Sequence, residues 1–180
     1  ASTIDGAKDF DISSGSGAVS IAGTVGGDVA LATLDINESS GAGTISLKDI
    51  GDTDTQGVTG TSRIGNDTTI TLTLGGTTYK TDAVTYTTKA GENIDLTGGA
   101  DTTFTTSDDS ITFGTGTVEM GNGSNLIIDT GTGGGAINLP VGVMGTSSEN
   151  ITLTGVYGDV AIGAVGTGNE VADVSITTKG

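Results

Sequence analysis

Asp108 and Asp109 stand side by side ahead of the run Ser110–Phe113, and paired carboxylates are a means of cutting glycosidic bonds. One carboxyl acts as acid and the other as base or nucleophile, with their separation deciding inversion or retention. Neighbours on one strand point to opposite faces, so this pair converges only at a bend. An acidic sugar would also need a cation, and the nearest in sequence is Lys89. The competing assignment is a turn before a strand, and we expect that one: no residue of this chain is assigned a catalytic role.

Calcium is the metal that the available ligands suit best, because oxygen donors are plentiful. Asp52 with Asp54, or Asp101 with Asp108, would supply part of a shell. The Gly-Gly-x-Gly-x-Asp nonapeptide of calcium-binding β-rolls is absent, since "GGGAIN" (133 to 138) has Ala136 where its third glycine belongs. No metal ligand or cofactor site is therefore assigned, and calcium is the one cofactor weighed, against diffuse acidic charge. With no His and no Cys, the common nucleophile–base pairs, disulfides and thiolate metal sites are unavailable.

Thr-x-Thr runs at Thr71/Thr73, Thr85/Thr87, Thr103/Thr105 and Thr152/Thr154 suggest a hydroxyl array able to order water. Strand alternation alone turns Thr outward wherever Ile, Leu or Phe points inward, and the uneven spacing argues against a flat array. Asn37, Asn66, Asn122 and Asn150 open glycosylation sequons, which a Thr-rich chain generates freely. Of the three tyrosines, Tyr79, Tyr86 and Tyr157, Tyr86 is expected in the core.

What positions these residues is a recurring apolar–polar–apolar triplet, the period-2 mark of short strands with one buried face. The pairs are Phe10/Ile12, Val19/Ile21, Leu34/Ile36, Ile45/Leu47, Ile70/Leu72, Val84/Tyr86, Ile94/Leu96, Ile111/Phe113, Val118/Met120, Leu126/Ile128, Ile137/Leu139, Ile151/Leu153, Val160/Ile162 and Val174/Ile176. Gly, Asn, Asp and Ser fill the gaps with turn chemistry. No stretch keeps a helical apolar stripe for three turns, so the chain is all-β.

Between all-β architectures, a sandwich of antiparallel hairpins would need longer strands and more two-residue turns than Asn122-Gly123 and Asp5-Gly6. A β-solenoid, whose short strands stack on their counterparts one coil away, fits 33 Gly and one Pro better. We expect a parallel β-helix of roughly seven to nine coils at roughly 20 to 25 residues each, with the antiparallel β-sandwich as alternative. Two internal echoes support repetition: "VGGDVALATLDINES" from Val25 beside "VGTGNEVADVSITTK" from Val165, and "GNDTTITLTLG" (65 to 75) beside "GGADTTFTTSD" (98 to 108). Residues 1–180 are read as one solenoid segment of a longer chain, with 51–63, which lacks apolar pairs, as a loop out of the coil stack.

Net charge −16 would repel a phosphate backbone or an anionic membrane surface. No nucleic acid partner is expected, and no membrane insertion, since no apolar run approaches the roughly 18 residues of a spanning helix. Both ends of a coil stack carry open strand edges, so the expected partners are neighbouring coils or subunits of the same protein, end to end.

The block "VGGDVALATLDI", then "TISL", then "NIDLTGGADTTFTTSDDSITFGTGTV" resembles the repeat segments of filamentous-haemagglutinin-type bacterial exoproteins, across roughly residues 22 to 176 and most strongly 94 to 118. The resemblance implies a right-handed parallel β-helix in a long secreted or cell-surface adhesin, often exported by a dedicated outer-membrane partner. The expected function is a structural or adhesive shaft, extracellular or on a bacterial cell surface, touching a host or neighbouring cell. The alternatives are an outer domain of a flagellin-like or surface-layer subunit and a polysaccharide-active β-helix enzyme.

Overall fold

Strands of three to six residues wind around a common core in a computed structural model that describes residues 3–121, 123–166 and 169–179. The first face carries β1 (Asp9–Ile12), β3 (Thr33–Ile36), β5 (Ser62–Ile64), β8 (Val84–Tyr86), β11 (Ile111–Phe113), β14 (Ile137–Leu139) and β17 (Val160–Ile162). The second carries β2 (Val19–Ile21), β4 (Thr44–Leu47), β6 (Thr71–Leu74), β9 (Asn93–Leu96), β12 (Thr117–Met120) and β15 (Val143–Gly145). The third carries β7 (Thr78–Thr81), β10 (Thr102–Thr106), β13 (Leu126–Asp129), β16 (Asn150–Gly155) and β18 (Asp173–Thr178). Among the described residues every ladder is parallel, which settles the choice against the antiparallel sandwich.

The result is a β-solenoid of about seven turns. Within the strand ladders successive coils are offset by 22 to 28 residues, the steps from Ser62 to Val84 and from Leu34 to Ser62. In the first two coils the third face is reduced to single bridges, Ile4 to Val25 to Ile50 to Tyr79, and it widens into strands only from β7 onward.

Each inward residue rests on an inward residue of the next coil. On the second face one such column runs Val19, Ile45, Leu72, Ile94, Val118, Val143 and Val165. From Ile45 to Val143 its members are 0–1 % exposed. Because strands lie roughly 4.8 Å apart, identical or similar aliphatic groups meet at van der Waals contact all along the axis. Full burial of each such side chain contributes about 1.5–3 kcal/mol.

The expected pairs are inward with instructive exceptions. Ile70 is 47 % exposed and precedes β6, whose buried pair is Leu72 and Leu74. Val174 and Ile176 of β18 are 40 % and 46 % exposed although their ladder partners Ile151 and Leu153 are buried, because no described coil covers β18.

Residues 51–63 do not leave the stack as one loop. Val58 is buried and bridges Leu31, and Ser62–Ile64 form β5 between β3 and β8. Only a turn projects, closed by the Asp52 amide donating to the Thr55 carbonyl (3.0 Å). The apolar pair is missing because β5 turns Ser62 inward beside Ile64. Close stacking also explains the glycines here: a Cβ on Gly26, whose φ is +65°, would lie 2.0 Å from the Gly57 carbonyl oxygen of the next coil.

The internal echoes are not coil repeats. Val25 stands in the third-face column and Val165 in the second, while β6 and β10 belong to different faces.

Four rings fill the middle of the core. Phe104 stacks on Tyr79 (4.9 Å between centroids) and meets Tyr86 and Phe113 edge-on (5.5 and 5.4 Å), while Tyr86 and Phe113 stack at 5.2 Å. The Tyr79 hydroxyl accepts the Gly76 amide (2.9 Å). The Tyr86 hydroxyl has no partner among the described residues, and burial, followed by the nearby Tyr79, pushes its titration well above the ordinary range. Tyr86→Phe should therefore raise stability by about 1 kcal/mol, since a buried hydroxyl without a partner is a net cost. Urea unfolding checks this, and a loss instead of a gain would mean that the hydroxyl is satisfied.

Candidate functional site

The carboxylates lie along the corners and outer faces, and several are committed to joining one coil to the next. Asp108, in the turn after β10 with φ +68°, accepts the amides of Thr132 (2.7 Å) and Gly133 (2.5 Å) of the following coil on Oδ1. Asp49 accepts the amides of Thr77 (2.8 Å) and Thr78 (3.0 Å), and Asp5 those of Asp28 (2.9 Å) and Val29 (3.2 Å), in the same way. These are charge-assisted bonds to backbone groups that a tight corner would otherwise leave unpaired.

The pair weighed for glycoside chemistry is divided by this role. Asp108 is a peg between coils, and the Asp109 carbonyl accepts the Thr106 hydroxyl at the same corner. Asp108→Ala should cost about 2–3 kcal/mol, from two lost charge-assisted bonds and a less tolerant residue at positive φ. Asp108→Asn, which keeps an acceptor, should lose less, as thermal unfolding would show. Equal losses would deny the peg its charge.

The calcium candidates are dispersed. Asp52 Oδ1 is taken by the amides of Asp54 (2.8 Å) and Thr55 (2.7 Å) within its own turn. Those bonds, the largest influences, together with Lys80 hold its carboxyl below the usual range. Asp101 accepts the Asn125 side-chain amide (2.7 Å) and stands at the opposite end of β10 from Asp108, roughly 20 Å away along an extended strand. Among the described residues no group of three or more acidic side chains is placed to hold a metal.

The four Thr-x-Thr runs are distributed over all three faces. Thr71 and Thr73 lie on β6, Thr85 on β8 with Thr87 just beyond it, and only Thr103/Thr105 and Thr152/Thr154 share a face. Ile127 and Asp129 separate those two. Among the sequons, Asn37 is fully buried, its Oδ1 accepting the Ser14 amide (2.8 Å) and its carbonyl accepting the Asn66 side-chain amide. Asn37 and Asn66 thus staple the corner between the first and second faces, Asn150 is exposed, and Asn122 lies outside the described residues.

Two arrangements were not anticipated from the sequence. Asp95 and Glu119 are ladder partners on the outer side of the second face, with the Asn93 side-chain amide donating to Glu119 Oε2 (2.7 Å). Partial burial, then the Glu119 charge, raises the Asp95 carboxyl above its ordinary value. Stability from Asp95 therefore grows as pH falls through that raised value. The pair lies on a sheet face and lines none of the three clefts described below.

Glu149 is the second. It is 1 % exposed and accepts the amides of Thr146 and Ser147 on Oε2 (2.8 Å each) and their hydroxyls on Oε1 (2.8 and 2.9 Å). Its carboxylate occupies space that a side chain at Gly145 would fill, since Oε2 lies 2.7 Å from where that Cβ would be. Burial alone would raise its pKa, but the Ser147 amide, the Thr146 hydroxyl, its own backbone amide and the Thr146 amide outweigh it and hold the carboxyl down to about 2. The motif Thr146-Ser147-Ser148-Glu149, a hydroxyl residue followed three positions later by Glu, was the legible signal.

A depressed carboxyl contributes stability that is present above its unfolded pKa and lost as pH falls through the folded one. For Glu149 the contribution, on the order of 3 kcal/mol, should fade from about pH 4.5 to about pH 2. Urea midpoints of wild type and Glu149→Gln should differ at pH 7 and converge near pH 2. A constant difference would refute the assignment.

The open clefts among the described residues include the following three. One of about 240 Å³ is lined by Gln56, Lys80, Thr81, Thr105, Thr106 and Ser107. One of about 410 Å³ lies at the uncovered end around Tyr157, Val160, Ile176 and Lys179. The third, about 230 Å³, is walled by Ala90, Gly91, Thr115, Gly116, Thr117, Val141 and Gly142. No family model matches the chain, and the comparisons with curated proteins and with solved structures found no match either.

Proposed function

We propose that this chain is a shaft segment of a secreted or cell-surface bacterial protein of the filamentous-haemagglutinin type, serving extension and contact instead of turnover. The observation that carries this is the continuity of the ladders: inward columns pass from coil to coil through about seven turns in register, and corner carboxylates are spent on holding coils together. At roughly 4.8 Å per coil such a unit is about 30 Å of stiff rod, and further coils lengthen it without changing its section.

The uncovered β18, with Val174 and Ile176 exposed, supports following coils or a neighbouring subunit as the end-to-end partner. Among the described residues no helix is long and apolar enough to cross a membrane. Charge −16 disfavours nucleic acid as a partner, and the outer faces suit a host or neighbouring cell through many weak contacts. Presented along one rod, these bind by avidity although each is feeble.

Tandem arrays of one, two and four segments, applied to cultured cells and immobilised polysaccharides, test this. Adhesion should rise more steeply than segment number, with no polysaccharide cleaved. Adhesion independent of number would refute the shaft. Cleavage abolished by Glu119→Gln would replace it with the enzyme, whose best-placed carboxylates are Asp95 and Glu119.

A further inference from the structure

The cleft of about 240 Å³ is assembled from three successive coils. Gln56 comes from the turn projecting beyond Gly51, Lys80 and Thr81 from β7, and Thr105 and Thr106 from β10, with Ser107 just after it. Ladder register sets Lys80 beside Thr105 and Thr81 beside Thr106. The turn is held over the third face by the Lys80 ammonium, which donates to the Thr53 carbonyl (2.6 Å).

Several polar groups in the cleft remain uncommitted. Gln56 uses its side-chain NH2 on the Val58 carbonyl (2.9 Å) and on Asp82, and its Oε1 accepts no hydrogen bond among the described residues. Lys80 has further N–H donors beyond the one given to Thr53. The hydroxyls of Thr105 and Ser107 make no hydrogen bond among the described residues. At the inner wall Thr81 is 1 % exposed and its Oγ1 has no partner among the described residues, whereas the hydroxyl of Thr106 beside it is satisfied by the Asp109 carbonyl.

We propose that this cleft binds one neutral sugar residue. A sugar's vicinal hydroxyls each donate and accept, matching a mixed set of Lys80 donors, the Gln56 acceptor and two free hydroxyls that line one cleft. The Lys80 stem and threonine methyls offer an apolar wall to the ring's C–H groups. Its volume exceeds that of a single hexose ring only modestly, so a longer chain would run out over the third face. A carboxylate ligand is disfavoured, because Asp52 lies close enough to Lys80 to be influenced by its charge, Asp82 lies against Gln56, and the whole chain is strongly acidic.

No aromatic ring lines the cleft, so affinity rests on hydrogen bonds and is weak, with Kd in the millimolar range. Such a site is useful where it is repeated, and in that sense the proposal gives the shaft its contact chemistry and rests on that reading for its biological use.

Titrating the isotope-labelled chain with methyl α-glucoside, methyl α-galactoside and methyl α-mannoside, to about 100 mM, tests it by amide shifts. At least one sugar should move the amides of Gln56, Lys80, Thr81 and Thr105 to Ser107 together. Thr105→Val and Lys80→Met, which preserve shape and stem, should each weaken binding by roughly three- to tenfold, the worth of one hydrogen bond. Thr154→Val, on the same face but outside the cleft, should change nothing. Absence of shifts with all three sugars, or shifts scattered over the surface, overturns the proposal. So does binding of glucuronate in place of the neutral sugars. Sugar binding without length-dependent adhesion would reject the shaft and keep the cleft, and the converse would reject only the cleft.

Discussion

Ile94→Asp should open the coil stack and cost the protein about 3–5 kcal/mol. Ile94 is fully buried on β9, in register between Leu72 below and Val118 above, and the core around it contains no cation. An ionised carboxylate there has neither water nor a partner, and the chain cannot turn it outward without slipping a whole strand by one residue. Ile111→Asp, between Val84 and Ile137 on the first face, should behave alike. Total stabilities are typically 5–15 kcal/mol, so either loss is a large fraction. Limited proteolysis should reach sites that are silent in the parent, and urea midpoints should fall. Unchanged protection would mean these residues do not face inward.

Phe104→Ala should cost nearly as much, about 3–5 kcal/mol, by a different route. Phe104 touches Tyr79, Tyr86 and Phe113 at once, so truncation empties the centre of the four-ring cluster and removes three ring–ring contacts. Tyr86 and Phe113 belong to strands fixed by ladders on both sides, and Tyr79 to one held by a ladder and a bridge, so the neighbours cannot collapse into the gap. Phe104→Leu, which refills most of the volume, should recover more than half of the loss in denaturant unfolding. If Ala and Leu are equivalent, the ring contacts carry the stability and the cavity does not.

The fold was legible because its core is made by alternation, which survives in local sequence: a Val or Ile flanked by polar residues declares which way it points. Single inward residues at corners could not be read this way. Val25, Ile50 and Val58 are buried without an apolar partner two positions away, and Leu31 is buried beside an exposed Val29, because a corner admits one side chain where a strand admits two. Phe104 escaped the pairing for a related reason, since its inward neighbours on β10 are Thr102 and Thr106. The Ile70 pairing erred by one step because three apolar residues at 70, 72 and 74 offer two pairs, and only the covering coils choose between them. For the candidate site, Asp108 was visible as a residue but not as a peg, because its partners, Thr132 and Gly133, lie a full coil away. Asp95 and Glu119 meet only once the ladder register is known, and the same holds for the members of the Gln56–Ser107 cleft.

The short offset between coils bears on how such a chain can be delivered. Each ladder joins residues one coil apart, 22 to 28 positions along the chain, however many coils precede or follow. Relative contact order therefore falls as the array lengthens, and the loop-closure entropy of adding a coil stays the same from first to last. A chain that emerges end first through a narrow opening needs nothing still waiting behind it: each new coil condenses on the exposed edge of the one before, and the edge it leaves is the template for the next.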